Sequence, residues 1–406
     1  MERVAVTGLG TINPLGVDVA QTWAGARAGR CAISALEAPW VDEYGLTVRV
    51  AGQLPVPLSE LLSAREVRRL DPATQCALIA ARQAWAQAFS STTQPDPKRL
   101  AVSFSPGMGC VTTVMDAWDT LRTKGPRRVA PTTVPALMPN APAATLAMEF
   151  TARAGAHAPV SACASGAEAI SYGADLIRLG RADVVVAGGC DDALHPLTVA
   201  AFAAMRALST NPDPAGACRP FASDRDGFVL GQGAGALVLE AESYAKARGA
   251  KILAYLDGSA VTCDAYDVAR PMADGHCQEQ ALRQAIAQAG ISPEQVGHVN
   301  AHATSTPAGD GIEAAMLARV VPQAAVSATK SMTGHLLGGA GGLEAVLTVL
   351  ALAKQWAPPT LMPGELDPQT AIDVVGPQGR QLKAQAAVST SFGFGGHNVA
   401  LVFTAA

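Results

Sequence analysis

The feature that most constrains this 406-residue chain is an imperfect internal duplication. A helical run, Ala77-Leu-Ile-Ala-Ala-Arg-Gln-Ala-Trp-Ala-Gln-Ala-Phe89, leads through a Pro-containing link to the strand-like Leu100-Ala-Val-Ser-Phe104. It is answered by Ala281-Leu-Arg-Gln-Ala-Ile-Ala-Gln-Ala-Gly290 and the strand-like His298-Val-Asn-Ala301. Next, a turn around Cys163 that opens a helix-like run, Ala167 to Leu179, corresponds to Ser331-Met-Thr-Gly-His-Leu-Leu-Gly-Gly-Ala340 and the helix-like run Leu343 to Lys354. Third, Gly227-Phe-Val-Leu-Gly-Gln-Gly-Ala-Gly-Ala-Leu-Val-Leu239 and Ser391-Phe-Gly-Phe-Gly-Gly-His-Asn-Val-Ala-Leu-Val-Phe403 each read as a glycine-rich loop entering an apolar strand. Three matches in one order predict two related α/β halves. We place them at 1–250 and 251–406, together one compact unit, with an insertion in the first half within Gly107 to Thr151.

Val4 to Leu9, Val184 to Ala187 and Ala236 to Leu239 are short continuous apolar runs, as expected of strands covered by helices on both faces. That favours a layered α/β architecture. With 49% hydrophobic and 16% charged residues the chain can bury a large core and is too apolar for disorder. A net charge of -4 argues against nucleic-acid binding. The start, Met1-Glu2-Arg3-Val4, has no basic segment leading into an apolar one, and no uninterrupted apolar run is long enough for a bilayer, so a cytoplasmic protein is expected. Eight cysteines are scattered without a Cys-x-x-Cys pair, so neither disulfides nor structural zinc are expected. His298 and His302 are four apart, but Val299-Asn300 between them looks strand-like and no Glu follows His298, which removes a zinc helix; no metal site is expected. Thr7-Gly-Leu-Gly-Thr-Ile-Asn13 lacks the third glycine of a dinucleotide fingerprint, and no ribose-binding acid follows a second strand.

Cys163 lies where a β-like run, Ala158 to Val160, meets the helix-like run, with small neighbours Ala162, Ala164, Ser165 and Gly166 that leave room for a substrate. At a helix start the unpaired N–H groups and positive macrodipole end favour the thiolate. Alone, such a thiol reads as a buried, inert cysteine. A pseudo-twofold between the halves brings it towards His335 and the His302 loop, both set in stretches of small residues with little packing function. One thiol with two imidazole donors suits acyl transfer followed by stabilisation of an oxyanion or enolate.

The set Val160-Ser-Ala-Cys-Ala-Ser-Gly166, Arg219-Pro-Phe221 with Asp224-Arg-Asp-Gly-Phe228, Val299-Asn-Ala-His-Ala-Thr-Ser-Thr-Pro-Ala-Gly-Asp310, Lys330-Ser-Met-Thr-Gly-His-Leu-Leu-Gly338 and Ser391-Phe-Gly-Phe-Gly-Gly396 resembles the β-ketoacyl-acyl-carrier-protein synthase family, synthase II above all. The resemblance runs in order from Val4-Ala-Val-Thr-Gly-Leu-Gly10 to the end. It implies the thiolase fold, a five-layered α-β-α-β-α duplication, and a dimer whose sheets join across a twofold. It also implies that Cys163 takes an acyl group from a carrier protein's phosphopantetheine, with the N–H groups of Cys163 and Phe392 as oxyanion hole. His302 and His335 then stabilise the enolate formed as malonyl loses carbon dioxide, and the chain grows by two carbons. Lys330 and Glu344 match the family's supporting pair, and Phe392 its gating aromatic. Thr304 and Thr306 match hydroxyls that hold the pantetheine arm, while Met108, Phe202 and Thr133 match substrate-pocket positions. No cofactor is implied beyond the carrier-bound phosphopantetheine.

Carrier proteins are acidic, and Arg65, Arg68 and Arg69 with Lys124, Arg127 and Arg128 resemble the family's docking patch. The chain departs from the usual pattern at Ala303 (usually Gly), Gln232 (acidic), Ala222 (Asp), and Asp267 and Ala269 (His and Thr); the last removes one pantetheine hydroxyl. Thr132-Thr133 stands where relatives place aromatics lining the acyl pocket at the dimer interface, and Met108 where a chain-length-limiting residue is expected. Two enzyme readings follow: fatty-acid elongation as a homodimer, or a polyketide or polyene ketosynthase paired with a chain-length-factor subunit. A non-catalytic chain-length subunit is disfavoured by the presence of Cys163. An acyl-CoA thiolase is disfavoured because the last cysteine is Cys277, far from the C-terminus.

Overall fold

The computed structural model describes residues 2–89, 94–362 and 364–406. The first half runs β1 (Val4–Ile12), α1 (Pro72–Phe89), β2 (Leu100–Pro106), α2 (Ala141–Glu149), β3 (Gly155–His157), α3 (Ser165–Arg178), β4 (Val184–Asp191) and β5 (Gly233–Ala241). The second repeats the order: β6 (Ala254–Cys263), α4 (His276–Gln288), β7 (Val296–Asn300), α5 (Pro307–Val320), β8 (Ala325–Ser327), α6 (Ala340–Lys354), β9 (Ala386–Gly393) and β10 (His397–Thr404). Strand order is β3-β2-β4-β5-β1 in one half and β8-β7-β9-β10-β6 in the other. In each, the first three strands are parallel and the remaining pairings antiparallel. The two sheets are joined where Ala5 and Val6 of β1 pair with Tyr255 and Ala254 of β6.

Every residue of β1, β2, β4 and β5 is buried, which is why these strands read as continuous apolar runs rather than alternating ones. Helices α1 and α2 cover the outer face of the first sheet and α4 and α5 that of the second, while α3 and α6 pack on each other between the sheets. The result is the expected five layers. Gly8 and Gly10 in the pseudo-fingerprint serve packing: an added Cβ would stand 2.1 Å from the Ala84 carbonyl oxygen and 1.9 Å from that of Ala80 in α1. Gly258 on β6 has the same relation to Ala285 of α4, at 1.9 Å, so the duplication extends to backbone contacts. The segment Leu337–Lys354 is long and apolar enough to cross a membrane, but it is 89% buried because it contains the central helix α6.

Three details differ from expectation. The third parallel strand of the first half is Gly155–His157, because its ladder with β2 ends at the Ser103–His157 pair; 158–160 has already left the sheet. The 107–151 insertion carries the helices Val111–Lys124 and Thr133–Leu137, but two more segments also lengthen the first half. Residues 13–71 separate β1 from α1 where 264–275 separate β6 from α4, and 192–232 separate β4 from β5 where the hairpin 394–396 joins β9 to β10. For the same reason Ser391-Phe-Gly393, read as loop, is the end of β9.

Candidate active site

Cys163 sits in a one-turn 3₁₀ segment, Ala162–Ala164, that runs directly into α3. Ala162 has φ of 49°, a left-handed conformation costly for a residue with a Cβ, and such strain persists where the surroundings impose it. Its counterpart in the second half, the Leu337–Gly339 turn before α6, begins with Leu337 at the same φ of 49°. The two elbows meet: a Cβ at Gly166 would be 2.6 Å from the Gly338 carbonyl oxygen, and one at Gly338 2.1 Å from the Gly107 nitrogen. Asp191, at the end of β4, fixes this junction, accepting from the N–H groups of Gly107 at 2.9 Å, Met108 at 3.3 Å and Gly338 at 2.7 Å. Burial nevertheless pushes its carboxyl up to about 7. Sequence reasoning missed Asp191; two adjacent acids, Asp191-Asp192, at the end of a wholly apolar strand were the available signal.

The backbone N–H groups of Phe394 and Cys163 face the Cys163 sulfur and favour its ionised form. Burial pushes the thiol up to about 12, against the pull of the Lys330 charge, so the thiolate expected from the helix start is not favoured in this cavity. The expectation for Phe392 shifts by two residues. Phe392 is in register with Asn398 in the β9–β10 ladder and its ring meets His302 at 5.7 Å between centroids, whereas Phe394, in the hairpin beyond, presents its N–H to the sulfur.

His302 and His335 lie edge to face, 5.3 Å between centroids, and both line the cavity that contains Cys163. The His302 backbone is held by Glu313 of α5, whose carboxylate accepts from the N–H groups of His302 at 2.9 Å and Ala303 at 2.7 Å and from the Thr390 hydroxyl at 2.7 Å. Glu313 too escaped the sequence reading. The Lys330 ammonium donates to the His302 carbonyl oxygen at 2.6 Å and to Glu344, and stands 3.3 Å from His302 Nδ1. An ammonium has only donors, so Nδ1 is the acceptor and the ring proton sits on Nε2. Burial, then Lys330 and His335, hold His302 well below the ordinary imidazole value, and burial and Lys330 do the same to His335. Burial pushes Glu344 above the usual carboxylate range while Lys330 pulls it back. His335 is set by backbone pairing, its N–H donating to the Val229 carbonyl at 2.7 Å, and both of its buried ring nitrogens lack a partner among the described residues. Phe228 meets its ring edge-on at 5.4 Å.

The cavity holds about 290 Å³. Met108, Phe202 and Phe228 supply apolar wall, and Thr304 and Thr306, their hydroxyls 3.1 Å apart, supply polar wall. The Thr304–Thr306 turn is braced by the Arg219–Phe228 motif: Asp310 accepts from the N–H groups of Phe221 and Ser305, and Arg225 reaches Asp310 at 3.8 Å and Asp367 at 2.8 Å. Thr133 does not line this cavity within its own chain; its expected place is at a dimer interface. The insertion carries it to a separate groove of about 520 Å³ shared with Arg68, Arg69 and Arg128, which brings the two basic clusters together. Arg65 and the remaining cations, Lys124 and Arg127, are exposed, and none of the six makes an ion pair among the described residues. Among the departures, Gln232 donates to Asp192 at 2.6 Å and accepts from the Leu54 N–H at 3.2 Å, so an acid there would face a second carboxylate. Asp267 caps the N–H groups of Ala269 and Arg270, Ala269 lies on the cavity wall without a hydroxyl, and Ala303 and Ala222 are buried. No cluster of metal-ligating side chains occurs among the described residues.

The Beta-ketoacyl synthase N-terminal domain model matches residues 1–245 and the C-terminal domain model residues 253–362. The 3-oxoacyl-[acyl-carrier-protein] synthase 2 of Mycobacterium bovis is 41% identical over 98% of this chain and 96% of its own length; that of Staphylococcus aureus is 39% identical over 99% and 98%. Among solved structures, a beta-ketoacyl synthase from Burkholderia phymatum superposes with a TM-score of 0.92 at 32% identity, covering both chains fully. A complex of a type II PKS acyl-carrier protein with its ketosynthase bound to the hexaketide matches at 0.89 and 30%, again over both chains. With the Cys163 elbow, the two imidazoles and the duplicated layers all in one frame, the chain belongs to the beta-ketoacyl synthase family.

Proposed function

We propose that this chain is a β-ketoacyl-acyl-carrier-protein synthase that joins a malonyl-derived two-carbon unit to an acyl group held on Cys163. The observation that carries the reading is the convergence of the Cys163 elbow with two neutral imidazoles in one cavity. In the first step the Cys163 sulfur attacks the acyl thioester, the arm's thiol leaves with a proton, and the oxyanion is met by the N–H groups of Cys163 and Phe394. In the second, the malonyl C–C bond breaks to release carbon dioxide and the enolate oxygen accepts from His302 Nε2–H and from His335. The enolate carbon then attacks the acyl-Cys163 carbonyl, the C–S bond breaks, and Cys163 regains a proton. Electrons balance without a redox partner, so the reaction calls for no cofactor beyond the phosphopantetheine that carries the substrates. Lys330 and Glu344 hold His302 in tautomer and place.

The partner in this reading is an acidic carrier protein, met by the groove of Arg68, Arg69 and Arg128 with Arg65, Lys124 and Arg127 near its helices. A dimer is supported by β3, an end strand with no outer neighbour among the described residues, and by exposed apolar side chains on the insertion, among them Trp118 and Val134. Fatty-acid elongation is favoured by the 3-oxoacyl synthase relatives. A polyketide ketosynthase with a chain-length-factor partner is the second reading, favoured by the type II PKS neighbour and by Met108 on the cavity wall. The test is intact-mass analysis after incubation with a panel of acyl carrier proteins. One acyl adduct is expected on the wild type and none on Cys163→Ala; an unlabelled wild type, or equal labelling of the variant, overturns the reading.

A further inference from the structure

Among the polar side chains that the second half places on the cavity, Gln278 is used by no step above. Gln278, in the first turn of α4, is 3% exposed and faces the same cavity as Thr304 and Thr306, yet its amide oxygen is sealed from water with no donor among the described residues. A buried acceptor left unpaired is costly, and one on a cavity wall can be met by a donor that the cavity takes in. On the same cavity Asp264 accepts from the Met272 N–H and from the Asn398 amide, and one of the Thr304 and Thr306 hydroxyls donates to the other. On the same wall Ala269 supplies no polar group where relatives are expected to carry a hydroxyl.

We propose that Gln278 is a positioning residue for the substrate's carrier arm, its amide pairing with an amide of the pantetheine and replacing the contact that Ala269 cannot make. The inference rests on the carrier-bound reading given above. The chemistry fits the occupant: a pantetheine arm bears amides, each with a donor and an acceptor, and a carboxamide answers either. The apolar wall of Met108, Phe202 and Phe228 suits the acyl chain, so a carboxamide is out of place there and in place along the arm.

The experiment compares acyl transfer to Cys163 from two donors: an acyl-pantetheine thioester and an S-ethyl thioester of the same acyl group, which has no amide. In Gln278→Leu and the nearly isosteric Gln278→Met, loss of one uncharged hydrogen bond is expected to lower kcat/KM for the pantetheine donor about 3- to 10-fold, through KM, and to leave the S-ethyl donor unchanged. The ratio between donors is the readout, because a merely structural role would slow both equally; two variants of different shape guard against misfolding. Equal loss on both donors, or no loss on either, overturns the role of Gln278 while labelling of Cys163 leaves the condensing-enzyme reading standing. A wild type unlabelled by any donor overturns that reading instead.

Discussion

Replacing Lys330 with Met should separate what the buried ion pair does for the fold from what it does for the chemistry. Both side chains of the Lys330–Glu344 pair are 2% exposed, and the ammonium is fully used by Glu344, the His302 carbonyl at 2.6 Å and His302 Nδ1 at 3.3 Å. In Lys330→Met the Glu344 carboxylate loses its cation, and its second oxygen already has no partner among the described residues, so the variant should lose about 3–5 kcal/mol, the usual cost of an uncompensated buried charge. Removing both charges, in Lys330→Met with Glu344→Leu, deletes the penalty along with the pair, and stability should return to within about 1–2 kcal/mol of wild type. Activity should not return. Without the ammonium neither the Nε2 tautomer nor the ring position of His302 is fixed, and loss of one oriented donor to a developing oxyanion costs about 10²–10³ in kcat. Urea unfolding at constant m-value gives the stability, and release of carbon dioxide from a malonyl thioester gives the rate. A single variant as stable as wild type would refute the buried-charge argument. A double variant with restored decarboxylation would refute the assigned role of Lys330.

His302 and His335 are both held below the ordinary imidazole value of about 6.5. Because a lowered value keeps the neutral ring as pH falls, decarboxylation should stay flat from about pH 8 to about pH 6, and an inflection near 6.5 in the pH-rate profile would contradict this. A Cβ at Gly393 would stand 2.4 Å from the Ser161 carbonyl oxygen and 3.3 Å from the Cys163 nitrogen, both backbone atoms, so Gly393→Ala should push the Phe394 hairpin off the elbow. We expect acylation of Cys163 to slow at least about tenfold with about 1–3 kcal/mol of overpacking cost, measured by time-resolved intact mass; an unchanged rate would remove Phe394 from the oxyanion site. Reversing Arg68 and Arg128 to Glu together should raise KM for carrier-bound substrate about tenfold at low salt and leave a free pantetheine thioester unaffected. Equal KM values on both substrates would place docking elsewhere.

Much of the architecture was legible because strands buried on both faces must be apolar throughout, and because the second half repeats the first in order. The Cys163, His302 and His335 turns stood out for a related reason: loops of small residues have little to pack, so a thiol or imidazole in them points to chemistry. The reading failed where spatial pairing overrode local pattern. Phe392 and Phe394 are equivalent aromatics in a glycine-rich string, and only the β9–β10 register decides which N–H meets the sulfur. Thr133 lies on the basic groove of its own chain, a position that sequence spacing does not record.

By itself, then, the sequence determined the duplicated layers and singled out Cys163, His302 and His335 as candidate reacting groups, since periodicity, residue chemistry and order along the chain are local properties. Tertiary structure alone decided the protonation chemistry and the supports. Asp191 and Glu313 lie far along the chain from most of the N–H groups they hold, and the Cys163 thiol, favoured as thiolate by its place at a helix start, is pushed the other way by burial. Desolvation and the meeting of distant backbone groups depend on what the fold packs around a residue, which no stretch of its own neighbours records.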